Sequence, residues 1–361
     1  MENSYFIAGI QTKDLFRLIG RNGMSFHPRY LGRFAFLLFS SFWTSAISKV
    51  ENIRFARKIQ NTDYSGDPVI IVGHWRSGST YLHQLTNLCP ELAAPTMFHI
   101  GNPDSFMSSR KIIEPVIQLH MRSKRTVDNV AMGLDEPQED EFALLRMTTH
   151  SPVEKLIFPE GDDYFLKESD FMPPRDAHQE WKDALVTFCK KIYLQTGKRV
   201  VLKNPFHSMR IPLLRELFPR AKFIHIHRNP LKVIPSTVRM WTIVGEQNTL
   251  KDNFTPPPIE QVCEVHNRML WKIREDFKAL PESDRTEIRF EDLEQQPLDM
   301  MRQVCSFLDM PFTKEYRQNL EHFLSSTRNY QKNRYAVSSE DQATIRAALA
   351  EHMAHYGYAA A

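Results

Sequence analysis

The chain has 361 residues, 42% of them apolar and 25% charged, with a formal net charge of +3. This is the make-up of an ordinary soluble globular protein; it carries no overall basic footprint for nucleic acid, so any basic site must be local. Cys89, Cys189, Cys263 and Cys305 lie far apart in the chain. They form no metal-type pair, and free thiols in a reducing cytoplasmic compartment are expected rather than a disulfide framework.

Met1 to Leu15 carries Glu2, Lys13 and Asp14 and has no apolar core, so no signal peptide is expected. From Phe34 to Ser48 there is no charge, and Arg29 and Arg33 precede that run. A spanning helix needs roughly 20 apolar residues, and this run is shorter and dotted with Ser and Thr. Residues 30–47 therefore read either as a helix buried against the rest of the protein or as an interfacial helix in peripheral contact with a membrane. Lys49 to Ile59 continues in helical style, and Asn61 to Asp67 breaks it. Residues 1–66 are expected to be an N-terminal helical extension and 67–361 one α/β domain.

Pro68 to Leu82 is the most informative stretch. Val69 to Val72 reads as a buried parallel strand, Gly73 to Gly78 as a tight turn, and Ser79 onward as a helix reaching about Leu88. Pro95 to Pro103 looks like loop, and Ile112 to Lys124 has helical spacing. An acidic turn leads into a helix over Glu139 to Arg146. Phe158 to Arg175 is irregular, and Gln179 to Thr196 is an amphipathic helix closed by Gly197. The first pattern then recurs. Arg199 to Lys203 and Lys222 to His227 read as strands; Ile211 to Phe218 and Val233 to Trp241 read as the helices after them. Glu246 to Pro258 is a long loop, Ile259 to Leu280 a helix, Glu287 to Phe290 a last strand and Met300 to Leu308 a helix. Thr327 to Tyr335 is basic and irregular, and Ser339 to Met353 closes the chain as a helix. Strands alternating with helices predict a P-loop-like central parallel sheet flanked by helices.

A strand, a glycine-bounded turn and a helix direct backbone N–H groups and a helix N-terminus at a phosphate. Gly73 and Gly78 have the spacing of a Walker loop, but Ser79 stands where its lysine belongs and the cation comes earlier, at Arg76. The strand ending at His227 is followed by Arg228, a cation where a magnesium ligand would be needed. Arg228 lies where open α/β sheets bind ligands, and Ser236 follows two helical turns later. Two separated anion sites suit a nucleotide with phosphates at both ends. His225 and His227 are taken to face opposite ways on their strand, and no metal is assigned.

These residues resemble the PAPS-dependent sulfotransferase family, PAPS being 3′-phosphoadenosine 5′-phosphosulfate. Its 5′-phosphosulfate loop is similar to Arg76-Ser77-Gly78-Ser79-Thr80, its 3′-phosphate element to Arg228-Asn229-Pro230 with Ser236, and its late block to Phe290-Glu291-Asp292-Leu293. The arginine at position 76 is most like the Golgi and tyrosylprotein groups. The resemblance covers roughly Val69 to Leu308 and implies a sulfotransferase-type fold with PAPS as co-substrate. It implies that Arg76 neutralises the phosphosulfate bridge, that Ser77, Gly78, Ser79 and Thr80 bind the 5′ phosphate, and that Tyr81 lies near the adenine. Arg228 and Ser236 would hold the 3′ phosphate, and Lys203 would stabilise charge on the bridging oxygen.

The base is sought first at His207, four residues after Lys203, and second in the acidic cluster Glu136, Glu139 and Glu141. An apolar rim of Phe98, Phe106, Phe165, Phe171 and Trp241, with the Phe-rich N-terminal helix, leans toward a lipophilic hydroxyl acceptor such as a sterol or lipid. A carbohydrate or tyrosine hydroxyl, a P-loop kinase and a non-catalytic nucleotide-binding module are the alternatives.

Overall fold

The computed structural model describes residues 6–23, 28–64, 66–118, 133–159, 167–251, 254–327 and 337–358. In chain order, α1 (Thr12–Asn22) and α2 (Leu31–Gln60) precede β1 (Val69–Val72) and α3 (Ser79–Asn87). Next come β2 (Leu92–Ala93), α4 (Met97–Gly101), α5 (Phe106–Gln118), α6 (Glu141–Thr148), α7 (Glu154–Ile157) and α8 (His178–Thr196). β3 (Arg199–Lys203), α9 (Ile211–Leu217), β4 (Lys222–His227), α10 (Pro230–Asn248) and α11 (Ile259–Ala279) follow. The chain then runs through β5 (Arg285–Arg289), α12 (Phe290–Gln295), α13 (Pro297–Phe307), α14 (Lys314–Ser326), α15 (Ser339–Ala348) and α16 (Ala350–His355).

The chain divides into two compact units. The first comprises Met1–Ser65, Pro95–Gly197 and Met240–Pro256; the second comprises Gly66–Ala94, Lys198–Arg239 and Pro257–Ala361.

The second unit carries the sheet. Among the described residues its five strands are all parallel, in the order β2-β3-β1-β4-β5. Val69 to Val72 are all buried, because a parallel strand is covered on both faces and tolerates an unbroken β-branched run. Ile71 pairs with Lys203 and Val72 with His225. The C-terminal ends of β3, β1 and β4 therefore lie side by side. β1 leads by way of α3 to the edge strand β2, while both of its sheet neighbours come later in the chain. Its C-terminal end is thus the switch point at which α/β sheets hold ligands.

In the first unit, α2 packs on α1, α5 and α8. The face it buries is made of Leu37, Ser41, Thr44, Ser48 and Glu51. Thr12 N–H donates to Ser45 Oγ at 2.8 Å, and the buried Glu51 carboxylate meets the Lys191 ammonium at 2.5 Å and accepts from Ser108 N–H at 2.9 Å. The expected apolar rim is core instead. Phe98, Phe106 and Phe171 are at most 1% exposed, Phe106 packs edge-on to Phe188, and Trp241 is buried too. Large aromatics gain most by leaving water altogether, so a rim made of them gives way to interior packing. Phe165 lies outside the described residues, as does the basic run beyond Thr327.

Other expectations shift at their edges. Pro95 to Pro103 holds the short helix α4, started by a capping box in which Thr96 and His99 bond each other's backbone. α10 begins at Pro230, with Asn229 Oδ1 accepting from Leu231 N–H, and continues past Pro235 to Asn248, so the long loop begins later than expected. The last strand begins two residues earlier, at Arg285. His225 and His227 lie on the same face of β4, since residues two apart on a strand point the same way; both rings pack against Tyr356.

Candidate active site

The glycine loop is shaped by close approach. Gly73 has φ of +148°, and a Cβ there would sit 2.4 Å from the Ile226 carbonyl oxygen. Gly78 has φ of +96°, and its Cβ would lie 2.0 Å from the Phe290 ring. Neither position admits a side chain without moving β4 or α12. Between them Arg76 adopts a left-handed conformation at φ +65°, a strained geometry for a long side chain and one found at ligand loops.

The loop is tied down from β3. After Lys203 the chain makes a 3-10 turn, Pro205–Met209, started by Asn204, whose side chain accepts from Phe206 N–H. From that turn Ser208 Oγ accepts the Gly73 N–H at 2.9 Å and lies 3.2 Å from the Gly73 carbonyl oxygen, to which it can donate. Trp75 is buried against Phe206, and its carbonyl oxygen accepts from Thr237 on α10.

Arg76, Lys203, Arg228 and Ser236 come together around this loop. Arg76 Nε donates to Ser236 Oγ at 2.9 Å, so the loop after β1 touches the helix after β4 directly. Arg228 Nη1 is 3.5 Å from the Arg76 carbonyl oxygen. Lys203 is buried at the end of β3, with Nζ 3.4 Å from Thr80 Oγ1 on the first turn of α3. Ser77 and Ser79 are buried, and Ser77 Oγ has no hydrogen-bond partner among the described residues. Tyr81 points into the packing beside the loop, against Phe290 and Phe323; burial and the charge of Glu294 push its hydroxyl up to about 12.

Phe290 and Glu291 support the turn that carries Arg228, a role their sequence block did not disclose. The Arg228 guanidinium lies over the Phe290 ring at 4.2 Å, a cation–π platform that holds the charge in place. Burial draws the Arg228 pKa down, with Glu294 and Glu291 opposing. Glu291 Oε1 accepts from Asn229 N–H at 3.1 Å and its Oε2 accepts from the Tyr358 hydroxyl at 2.9 Å. The same hydroxyl is 3.0 Å from His227 Nδ1. Tyr358 lies more than 100 residues from this turn, so spacing gave no hint of it.

The base candidates are less accessible. His207 is fully buried in the 3-10 turn, one residue before Ser208. Glu141 is also fully buried and accepts from Ser151 Oγ at 2.7 Å. Glu139 and Glu136 are half-buried ahead of α6, in the first unit, whereas the cations and the loop belong to the second. Among the described residues no group of three or more His, Cys, Asp or Glu side chains is arranged to hold a metal ion.

A family model described as "Sulfotransferase family" matches residues 68–314, more than half of the chain, and includes Arg76, Lys203, Arg228 and Ser236. The chain belongs to the sulfotransferase family. It is 30% identical, over 95% of its length and 88% of theirs, to sulfotransferases of Mycobacterium bovis and Mycobacterium tuberculosis named omega-hydroxy-beta-dihydromenaquinone-9 sulfotransferase Stf3. A putative protein-tyrosine sulfotransferase of Caenorhabditis elegans is 26% identical over 38% of this chain and 52% of its own. Among solved structures, sulfotransferase STF9 of Mycobacterium avium has the same fold, with a TM-score of 0.73 at 17% identity over 95% of this chain and 90% of that one. STF1 of Mycobacterium tuberculosis superposes with a TM-score of 0.61 over 94% of this chain and 88% of its own, also at 17% identity. The protein is thus a sulfotransferase with a parallel α/β sheet.

Proposed function

We propose that this sulfotransferase takes its sulfuryl group from PAPS and delivers it to the hydroxyl of a lipophilic alcohol, releasing 3′,5′-adenosine bisphosphate (PAP). The observation that carries the donor assignment is the meeting of Arg76, Lys203 and Arg228, from three adjacent strand ends, around a loop that has the buried, unpartnered Ser77 Oγ. Three cations with serine and threonine hydroxyls suit an anion charged at both ends, and the missing Walker lysine and the arginine after β4 speak against magnesium–triphosphate chemistry.

In this reading Ser77, Gly78, Ser79 and Thr80 cradle the 5′ phosphate and Arg76 balances the phosphosulfate charge. Arg228 and Ser236 hold the 3′ phosphate, and Tyr81 borders the adenine. When bound, PAPS supplies an activated sulfuryl group. Lys203, next to Thr80, donates to the bridging oxygen as the sulfur–oxygen bond to phosphate breaks and the bond to the acceptor oxygen forms. The acceptor proton goes to a base, His207, on the turn that ends the Lys203 strand. The lipophilic acceptor is supported by the mycobacterial relatives, whose names specify an omega-hydroxylated menaquinone, since they match nearly the whole chain. The four cysteines are free and buried, which suits a cytoplasmic enzyme.

Thermal melting with PAP, and separately with ATP and magnesium, tests the donor. PAP is expected to raise the midpoint, ATP–magnesium to leave it unmoved, and Arg228→Ala to abolish most of the PAP shift. Stabilisation by ATP–magnesium instead, or an unchanged PAP shift in the variant, would overturn the clamp. Transfer of labelled sulfate across a panel of lipid alcohols, sugars and tyrosine peptides tests the acceptor; turnover confined to sugars or peptides rules out a lipophilic one.

A further inference from the structure

Helix α2 is inside out. Its buried stripe of Leu37, Ser41, Thr44, Ser48 and Glu51 recurs at intervals of three and four residues and is mostly small and polar. The opposite stripe of Phe36, Phe39, Trp43, Ala46, Val50 and Ile53 has the same spacing and is apolar, yet it faces water. Phe39 is 65% exposed, Trp43 52% and Ile53 87%; beside them Phe42 is 64% exposed, and Phe39 and Phe42 each pack edge-on to Trp43. Seventeen residue steps at 1.5 Å make this a strip about 25 Å long. Scattered exposed apolar residues need no explanation, but a continuous aromatic strip on one helix marks an interaction surface.

Charge identifies the partner. Glu51 is the only acid in α2, and it is buried against Lys191. The exposed charges are all basic: Lys49, Arg54, Arg57 and Lys58. On the helical wheel Lys49 and Arg54 flank the apolar stripe, and Arg57 continues its line. Aromatic and aliphatic side chains with tryptophan on one face, rimmed by lysine and arginine and lacking exposed acids, match an anionic bilayer surface. No helix among the described residues is long and apolar enough to cross a membrane, so the helix would lie in the interface plane.

We infer that the outer face of α2 docks this enzyme on an anionic lipid surface. The apolar strip enters the boundary between headgroups and acyl chains, and the basic rim meets lipid phosphates. This inference concerns where the enzyme sits; it does not depend on which hydroxyl is sulfated or on the donor.

Co-sedimentation of the full chain with phosphatidylglycerol–phosphatidylcholine vesicles tests it, with pure phosphatidylcholine vesicles alongside. The wild-type protein is expected to pellet with the anionic vesicles, to do so less as salt is raised, and to show a blue-shifted tryptophan emission that Trp43→Phe removes. Phe39→Ser with Trp43→Ser should weaken binding about tenfold, and Arg54→Gln with Arg57→Gln should weaken it at least about as much, given roughly fivefold per basic residue near such a surface. All four side chains are exposed on the helix, so the melting midpoint should hold; Ile112→Ser, an exposed apolar residue on α5, should leave binding unchanged. Failure to pellet with anionic vesicles overturns the inference, as does pelleting that survives the double substitutions. Self-association abolished by Phe39→Ser with Trp43→Ser, without vesicle binding, would assign the strip to a second copy of the chain and overturn it equally.

Discussion

Gly78 and Arg76 illustrate how single residues constrain the glycine loop. A left-handed backbone costs an L-residue about 1–2 kcal/mol, and forcing a methyl into a packed ring adds about 1–3 kcal/mol. Gly78→Ala combines both penalties, since its Cβ would enter the Phe290 ring at a φ of +96°. The expected result is a stability loss of about 2–5 kcal/mol by urea titration, together with lost PAP affinity because Phe290 also seats Arg228. Gly32, in the first turn of α2, has nothing within 4 Å of its Cβ position and an ordinary backbone. Gly32→Ala is expected to stabilise the protein by about 0.5–1 kcal/mol. Equal effects from the two substitutions would show that the loop is not tightly packed after all.

At the scale of elements, the turn between β4 and α10 is held by parts of the chain far from it. Glu291 at the start of α12 accepts the Asn229 N–H, and Tyr358, just beyond α16, bonds both Glu291 and His227. Tyr358 is buried, so Tyr358→Phe keeps the packing and removes only the hydroxyl. A hydrogen bond nets about 1 kcal/mol, so calorimetry is expected to find PAP bound about fivefold more weakly. If PAP affinity is unchanged, the C-terminal segment does not position Arg228. This support explains how legible the molecule was. The β-branched strands β1, β3 and β4, the glycine loop and the place of Arg228 and Ser236 after β4 could be read directly, because buried parallel strands and tight turns impose local composition. β2 has only two residues and so shows no period; α1 and α14 do carry helical spacing, in Leu15, Leu18 and Ile19 and in Tyr316 and Leu320, but those few apolar positions are set among mostly polar residues and both helices went unnoticed. Ser208, the platform role of Phe290 and Tyr358 act through contacts 62 to 135 residues apart, which no local pattern encodes. Phe98, Phe106, Phe171 and Trp241 misled for a related reason: an aromatic residue in a loop-like stretch or at an expected helix end reads the same whether it faces a cleft or the core.

For the molecule as a whole, the largest response to pH should come from buried histidines in the sheet-bearing unit. His74 and His266 are both buried with ring centroids 4.6 Å apart, and His352 and His227 flank the same region with Tyr356 and Tyr358. Burial holds His74 down at about 4, His352 at about 4 and His227 at about 3, and burial with the neighbouring His74 drives His266 well below the ordinary value. These groups are neutral in the folded protein at neutral pH. In the unfolded chain each titrates near 6.5, so between about 4 and 6.5 the unfolded state binds more protons and stability must fall as pH falls. Facing them, burial pushes the Glu287 carboxyl up, but the hydrogen bond and charge of His225 outweigh it and leave it at about 2. Its contribution is complete above the ordinary carboxylate range and is lost only as pH drops toward 2, mostly below the histidine window. The expected outcome is therefore a fall in unfolding free energy between pH 7.5 and 5 of about 2 kcal/mol from His74 alone, read from urea midpoints. His74→Gln, which cannot take up a proton in either state, should flatten that slope by a comparable amount. A slope that is level in the wild type, or unchanged in the variant, would mean that this histidine is already charged in the folded protein and that its burial next to His266 is not what governs acid stability.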